Sequence, residues 1–208
     1  MTKSIKILFL SANPKDISHI RLDEEVREVD QKIQLGEFRD QLQLLPHFAV
    51  RPADLMQHLL RHQPHVLHFS GHGSATEGIV LEDDTGNTKL VSTDALANLI
   101  SIVKDNVRIV VLNACFSALQ ANGIRQVVDF TIGMQKAIGD RSAILFSASF
   151  YQGLAFGRSV QESFSLGVSA LLLHGIPEAN TPILLSKVGA DPSKTYLVPH
   201  RHKLKRGG

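Results

Sequence analysis

Four short, predominantly apolar runs, at residues 5–10, 65–70, 108–112 and 127–132, constrain this chain more than any other feature. Apolar runs of this length that do not alternate with polar residues fit strands buried on both faces, as in a parallel sheet covered by helices. The intervening segments change period. Leu22, Val26, Val29 and Ile33 recur by threes and fours behind the acids Asp23, Glu24, Glu25 and Glu28, with Gly36 as a stop, which predicts an amphipathic helix. Leu42, Leu44 and Leu45 mark a weaker strand, and Pro52 opens a helix carrying Leu55, Met56 and Leu59. Ser92 or Thr93 caps another, with Leu96, Leu99, Ile100 and Val103 on its apolar side. Two further helices are predicted over residues 140–156 and 159–173, the second with a stripe of Val160, Phe164, Val168 and Leu172. Alternation of this kind predicts an α/β domain over residues 1–186, a three-layer sandwich with a mostly parallel sheet between helices. One departure stands out: Gly78–Glu82 and residues 89–91 flank Asp83, Asp84, Thr85, Gly86 and Asn87, which predicts a β-hairpin with a solvated acidic turn.

The first apolar run is too short for a signal-peptide core or a membrane span, and no other run approaches spanning length. The single cysteine cannot form an internal disulfide, so a cytoplasmic location is expected. Residues 187–208 hold six of the 22 Lys and Arg against one of the 20 acids and lack apolar periodicity. They predict a basic, flexible C-terminal tail. Contact with nucleic acid through Arg201, Lys203, Lys205 and Arg206 is the weaker reading of that tail. The chain has no G-x-x-x-x-G-K, and Gly71 and Gly73 lead into the hairpin and not into a helix, which argues against nucleotide binding. His68 and His72 are four apart across a strand and loop, not on one helical face, so no metal is expected there and no cofactor is implied.

In an open parallel sheet, sites form at the C-terminal ends of the strands. His72 follows the 65–70 run and Cys115 follows the 108–112 run, and neighbouring parallel strands lie about 4.8 Å apart. Either residue alone would pass as ordinary packing or a satisfied polar side chain. Together they place an imidazole beside a thiol among small residues, an arrangement that favours the nucleophilic thiolate. The main-chain N–H groups of Gly73 and Cys115 can form an oxyanion hole. His65 and His68 are expected in structural or supporting roles.

The blocks KILFLSANP, RLDEEVREV, HFSGHGS, EGIVLEDDTG, VVLNACFS, IGMQKAIGD and FGRSVQESFSLG resemble, in that order, the CHAT family of caspase-like peptidases over roughly residues 5–175. The resemblance implies a caspase-hemoglobinase fold and a catalytic dyad of His72 and Cys115. Cys115 would attack a peptide carbonyl of a protein substrate, with His72 supporting the thiolate and protonating the leaving amine. Where the family often has Leu-Trp-Pro, this chain has Met134, Gln135, Lys136 and Ala137. Asp140 lies where related peptidases place an acid near the specificity pocket, which implies a basic P1 residue; a helix N-cap is its competing role. The resemblance also implies deployment in defence or signalling, with activation by a regulatory protein partner. A catalytically silent adaptor acting in protein assembly is the alternative, against which the joint presence of His72 and Cys115 argues.

Overall fold

The run at residues 5–10 becomes the first strand, β1 (Ile5–Ser11), and the computed structural model, which describes residues 4–74 and 78–199, then alternates largely as expected. In chain order the elements are α1 (Leu22–Gln34), a 3-10 turn (Arg39–Gln41), β2 (Leu42–His47), α2 (Pro52–His62), β3 (Val66–Ser70), β4 (Gly73–Ser74), β5 (Gly78–Glu82), β6 (Thr88–Val91), α3 (Thr93–Val103), β7 (Ile109–Asn113), α4 (Ala118–Ile124), β8 (Phe130–Met134), α5 (Asp140–Ala155), α6 (Val160–Leu173) and β9 (Pro182–Ser186). Six strands form the central sheet in the order β2-β1-β3-β7-β8-β9, parallel except for the last, and β4-β5-β6 form a small antiparallel sheet.

Side chains alternate across the central sheet and feed two cores. Ile7, Phe9, Val66, Ile109, Val111, Phe130 and Ile132 meet α1, α5 and α6 on one face. Leu8, Leu10, Leu67, Phe69, Val110 and Leu112 meet α2, α3 and α4 on the other. Each such buried aliphatic or aromatic side chain contributes roughly 1.5–3 kcal/mol, which is why continuous apolar runs become the central strands. The register is what matters for function: Ser70 at the end of β3 pairs with Asn113 at the end of β7. His72 and Cys115 each lie two residues beyond that matched pair.

Several expectations need correction. The strand expected at 127–132 is Phe130–Met134; Val127 and Val128 belong to the turn that ends α4, and Val128 is buried there, so one apolar run covers both turn and strand. The short helix α4 and the antiparallel edge strand β9 gave no distinct periodic signal. On α6 the expected Val160, Phe164 and Val168 do face the core, the last two partly buried, but Leu172 is exposed and the fully buried positions include Ser163, Gly167, Ala170 and Leu171. Small residues turn the helix: a Cβ on Gly167 would come within 2.7 Å of the Phe146 ring, and one on Gly153 within 2.7 Å of Ser163. Finally, residues 187–199 are laid against the body. Lys187 N–H bonds Asp129, Val160 N–H bonds Thr195, and Val198 is buried in the α1/α5 core. The basic residues Arg201, Lys203, Lys205 and Arg206 lie outside the described residues.

Candidate active site

The small sheet and the loop after β1 position His72. Val80 N–H bonds the His72 carbonyl at 3.1 Å, and Gly71 N–H reaches the Asn113 carbonyl at 3.5 Å. Gly73 is pressed onto the cysteine loop: a Cβ there would lie 2.4 Å from the Cys115 carbonyl oxygen. No side chain fits between these two strand ends.

The His72 ring is oriented from above. Its Nε2 lies 2.7 Å from the carbonyl oxygen of Ser18, which can only accept, so Nε2 is the donor. In the neutral ring Nδ1 is therefore the basic nitrogen. The loop that brings Ser18 there is closed on itself by Asn13, whose side chain donates to Ile20 O at 3.0 Å and accepts from Ile20 N–H at 3.3 Å. The hairpin anchors the same loop: Glu82 accepts from Asn13 N–H, Gly86 O from Lys15 N–H, and Asp16 from Thr88. Asp83 serves its own turn, accepting from Thr85 and Asn87 N–H groups, and Asp84 pairs with Arg51. The acidic turn is thus partly a clamp for the His72 loop.

Cys115 is half-buried. Ile138 N–H approaches its Sγ at 3.5 Å, and the thiol faces Ile138 O at 3.7 Å. Phe116, which follows, adopts φ 57°, a left-handed conformation that costs a non-glycine residue roughly 1–2 kcal/mol. Its N–H bonds Lys136 O, and the Ser117 hydroxyl bridges Leu112 O and Met134 N–H, so the sharp bend past Cys115 is held to the end of β7 and to the end of β8.

His72, Cys115 and Asp140 line one cleft of about 250 Å³, with Ser18, Arg21, Ile20, Leu22, Ile138 and Ile144 as walls. That is below the roughly 300–1,000 Å³ of drug-sized sites and suits a single side chain. A larger groove of about 570 Å³ runs between α5 and α6, but none of these groups line it. Asp140 is the first residue of α5 and not its cap: Gly139 is the N-cap, and Glu178 bonds Gly139 N–H and the Ser142 hydroxyl. The Asp140 carboxylate is left to the cleft, where Arg21 approaches through its N–H at 3.4 Å and Nε at 3.9 Å.

Beneath the cleft lies a polar network that the sequence pattern concealed. Glu25, read as one of the leading acids of α1, is only 2% exposed. Its carboxylate accepts from Asn113 Nδ2 at 2.6 Å and from the Ser70 hydroxyl, and lies 3.2 Å from His68 Nε2. Asn113 also bonds Ser147, and His68 Nδ1 bonds the Tyr151 hydroxyl at 3.0 Å. Burial alone would raise the Glu25 pKa; His68 and the Ser70 and Ser147 hydroxyls outweigh it and hold the carboxyl below its ordinary value. Burial and the Glu25 charge push the Tyr151 phenol well above its own. The network ties Ser70 and Asn113, the registered strand ends, to α1 and α5. His65 has a local role, accepting Lys6 N–H on Nδ1.

Comparison with other proteins places this architecture. The CHAT domain model matches residues 9–172. The chain belongs to the CHAT domain family. A "Probable protease" of Gillisia limnaea is 27% identical over 153 residues, covering 73% of this chain and 27% of the relative. A "Roc-COR-CHAT protease" from an unknown prokaryotic organism is 22% identical over 173 residues, covering 80% of this chain and 16% of the relative. The chain therefore spans about a quarter or less of the length of these relatives. Among solved structures, the Arg-specific cysteine proteinase gingipain R superposes with a TM-score of 0.63 at 12% identity, covering 92% of this chain and 47% of that one. Caspase-1 from Spodoptera frugiperda superposes with a TM-score of 0.56 at 8% identity, covering 88% and 86%. The CHAT chain thus has the caspase-hemoglobinase fold expected from its sequence. Among the described residues, no helix is long and apolar enough to cross a membrane.

Proposed function

We propose that this CHAT chain is a caspase-like cysteine endopeptidase in which Cys115 is the nucleophile and His72 its acid–base partner. The observation that carries the reading is the register: His72 and Cys115 stand at equivalent positions past adjacent parallel strands and line one cleft. Cys115 gives its thiol proton to His72 Nδ1 and its Sγ attacks the scissile carbonyl carbon, and the carbonyl electrons move to oxygen, facing the Gly73 and Cys115 N–H groups. Collapse of that intermediate expels the amine, which takes its proton from the imidazolium through Nδ1. Water then attacks the thioester, giving up a proton to Nδ1, and the acid leaves with the thiol restored. Ser18 O steadies the imidazolium throughout by accepting from Nε2.

For specificity, Asp140 pairs with a P1 Arg or Lys. Support comes from its position in a cleft of single-side-chain size and from Arg21, whose guanidinium already approaches the carboxylate as a substrate cation would. The gingipain that shares the fold is described as Arg-specific, which is in keeping with this reading. The protease relative named for Roc and COR carries its CHAT unit beside other sequence, and a regulatory protein segment or partner acting on this chain fits that context.

The test is cleavage of a peptide library by the purified chain, read by mass spectrometry, with Cys115→Ala alongside. Cleavage after Arg or Lys that disappears in Cys115→Ala is expected. Equal cleavage by both proteins contradicts the assignment, and none by either, with or without candidate regulatory proteins, favours the adaptor.

A further inference from the structure

His47, His58 and His62 gather at the outer edge of the sheet, and none of them lines the cleft of His72 and Cys115. The cluster follows from two periodicities. Along β2 the side chains alternate, so His47 falls on the face of Leu45, which packs with Leu55 and Leu59 of α2. On α2, His58 and His62 are one helical turn apart, beside that same buried stripe. Strand face and helix face therefore bring three imidazoles together.

Their ring nitrogens are close enough to share one ion. Each offers a ring nitrogen, and the three nitrogens lie within 4.8 Å of one another. His47 Nε2 and His62 Nε2 are 3.2 Å apart. Two nitrogens bound tetrahedrally to one zinc ion at 2.0–2.1 Å are separated by about 3.3 Å. His58 Nδ1 is a buried nitrogen with no hydrogen-bond partner among the described residues, and its ring stacks on His47 with centroids 3.7 Å apart, so one of the two must turn to share an ion. A buried, unsatisfied imidazole nitrogen is costly unless something fills it.

We propose that His47, His58 and His62 bind a divalent transition-metal ion of the zinc class, pinning edge strand β2 to helix α2. An all-imidazole set suits zinc over calcium or magnesium, which prefer oxygen. All three rings are half-buried, which leaves the fourth position to water. Burial first, and neighbouring positive charge second, lowers the pKa of each ring, which favours the neutral, ligating form. The ion would draw the third ring inward and close the chain between residues 47 and 62 into a cross-linked loop. The site is independent of the peptidase reading.

The test is zinc titration of the EDTA-treated full chain against a chromophoric chelator, with melting temperature followed in parallel. The Cys115→Ala/His72→Ala double variant removes the other imidazole and thiol pair that could take zinc. A single equivalent bound by both proteins is expected, with the melting temperature raised by roughly 5–10 °C at about a hundredfold excess over Kd. His58→Gln and His62→Gln, each checked for fold by circular dichroism, should weaken uptake by at least roughly tenfold. His47→Gln, on the exposed edge strand, serves if a helix variant fails to fold. No uptake, or uptake unchanged in every folded variant, overturns the site. Uptake lost only in the double variant assigns the zinc to the cleft and overturns it equally.

Discussion

His72 Nε2 donates to the main-chain carbonyl of Ser18 across 2.7 Å, so a loop 54 residues upstream sets the tautomer of the candidate catalytic imidazole. Asn13, through its two bonds to Ile20, gives that loop its shape without lining the cleft. Asn13→Ala should lower kcat of peptide cleavage by roughly tenfold to a hundredfold through misplacement of the ring, with KM little changed. Steady-state kinetics check this; an unchanged kcat would detach the loop from catalysis.

Gly73 admits no side chain because the Cys115 carbonyl lies 2.4 Å from where its Cβ would be. Gly73→Ala must push the two strand-end loops apart, displacing the proposed oxyanion donors. We expect a loss of at least about a hundredfold in kcat, in line with removal of an oxyanion donor, with secondary structure retained by circular dichroism.

Asp140 and Arg21 give opposite expectations. Asp140→Ala should abolish a preference for Arg and Lys at P1, because the cleft loses its carboxylate. Arg21→Ala removes the cation that stands at that carboxylate and should lower KM for Arg substrates by several-fold, since the substrate no longer competes with it. A P1 profile unchanged by Asp140→Ala would remove it from the pocket.

The buried Glu25 couples stability to pH. Its folded pKa lies below its ordinary value of 4.5, so its contribution is complete above that value and is lost as pH falls through the lowered folded pKa. Glu25→Gln should therefore be less stable than the parent near neutrality, by roughly 1–3 kcal/mol for buried hydrogen bonds to a carboxylate that an amide cannot fully replace. The difference should narrow as pH drops below 4.5. Urea unfolding at neutral and acid pH measures both.

Much of this was legible in the sequence for a physical reason: strands buried on both faces must be continuously apolar, so β1, β3 and β7 and their polar ends could be placed. His72 and Cys115 followed from those ends. Glu25 was hidden because its partners Ser70, His68 and Asn113 come from other strands, and one-dimensional periodicity reads any acid in a first turn as solvated. His47, His58 and His62 were hidden likewise, since a strand and a helix share them. On α6 only the end of the stripe misled: Val160, Phe164 and Val168 face the core, but the closest packing is made by Gly167 and Ser163 and Leu172 is left exposed. Asp140 was placed near the pocket, but Glu178, which takes over the capping of α5, lies 39 residues from Gly139.

The most direct measurement is intact-mass analysis of the chain treated with a peptidyl ketone electrophile bearing P1 Arg, with Cys115→Ala and His72→Ala alongside. Because Cys115 is the only cysteine, any thiol adduct reports on it alone. The account predicts a single adduct that is absent in Cys115→Ala and forms far more slowly in His72→Ala. An adduct that forms no faster than on free glutathione, or at the same rate without His72, would contradict it.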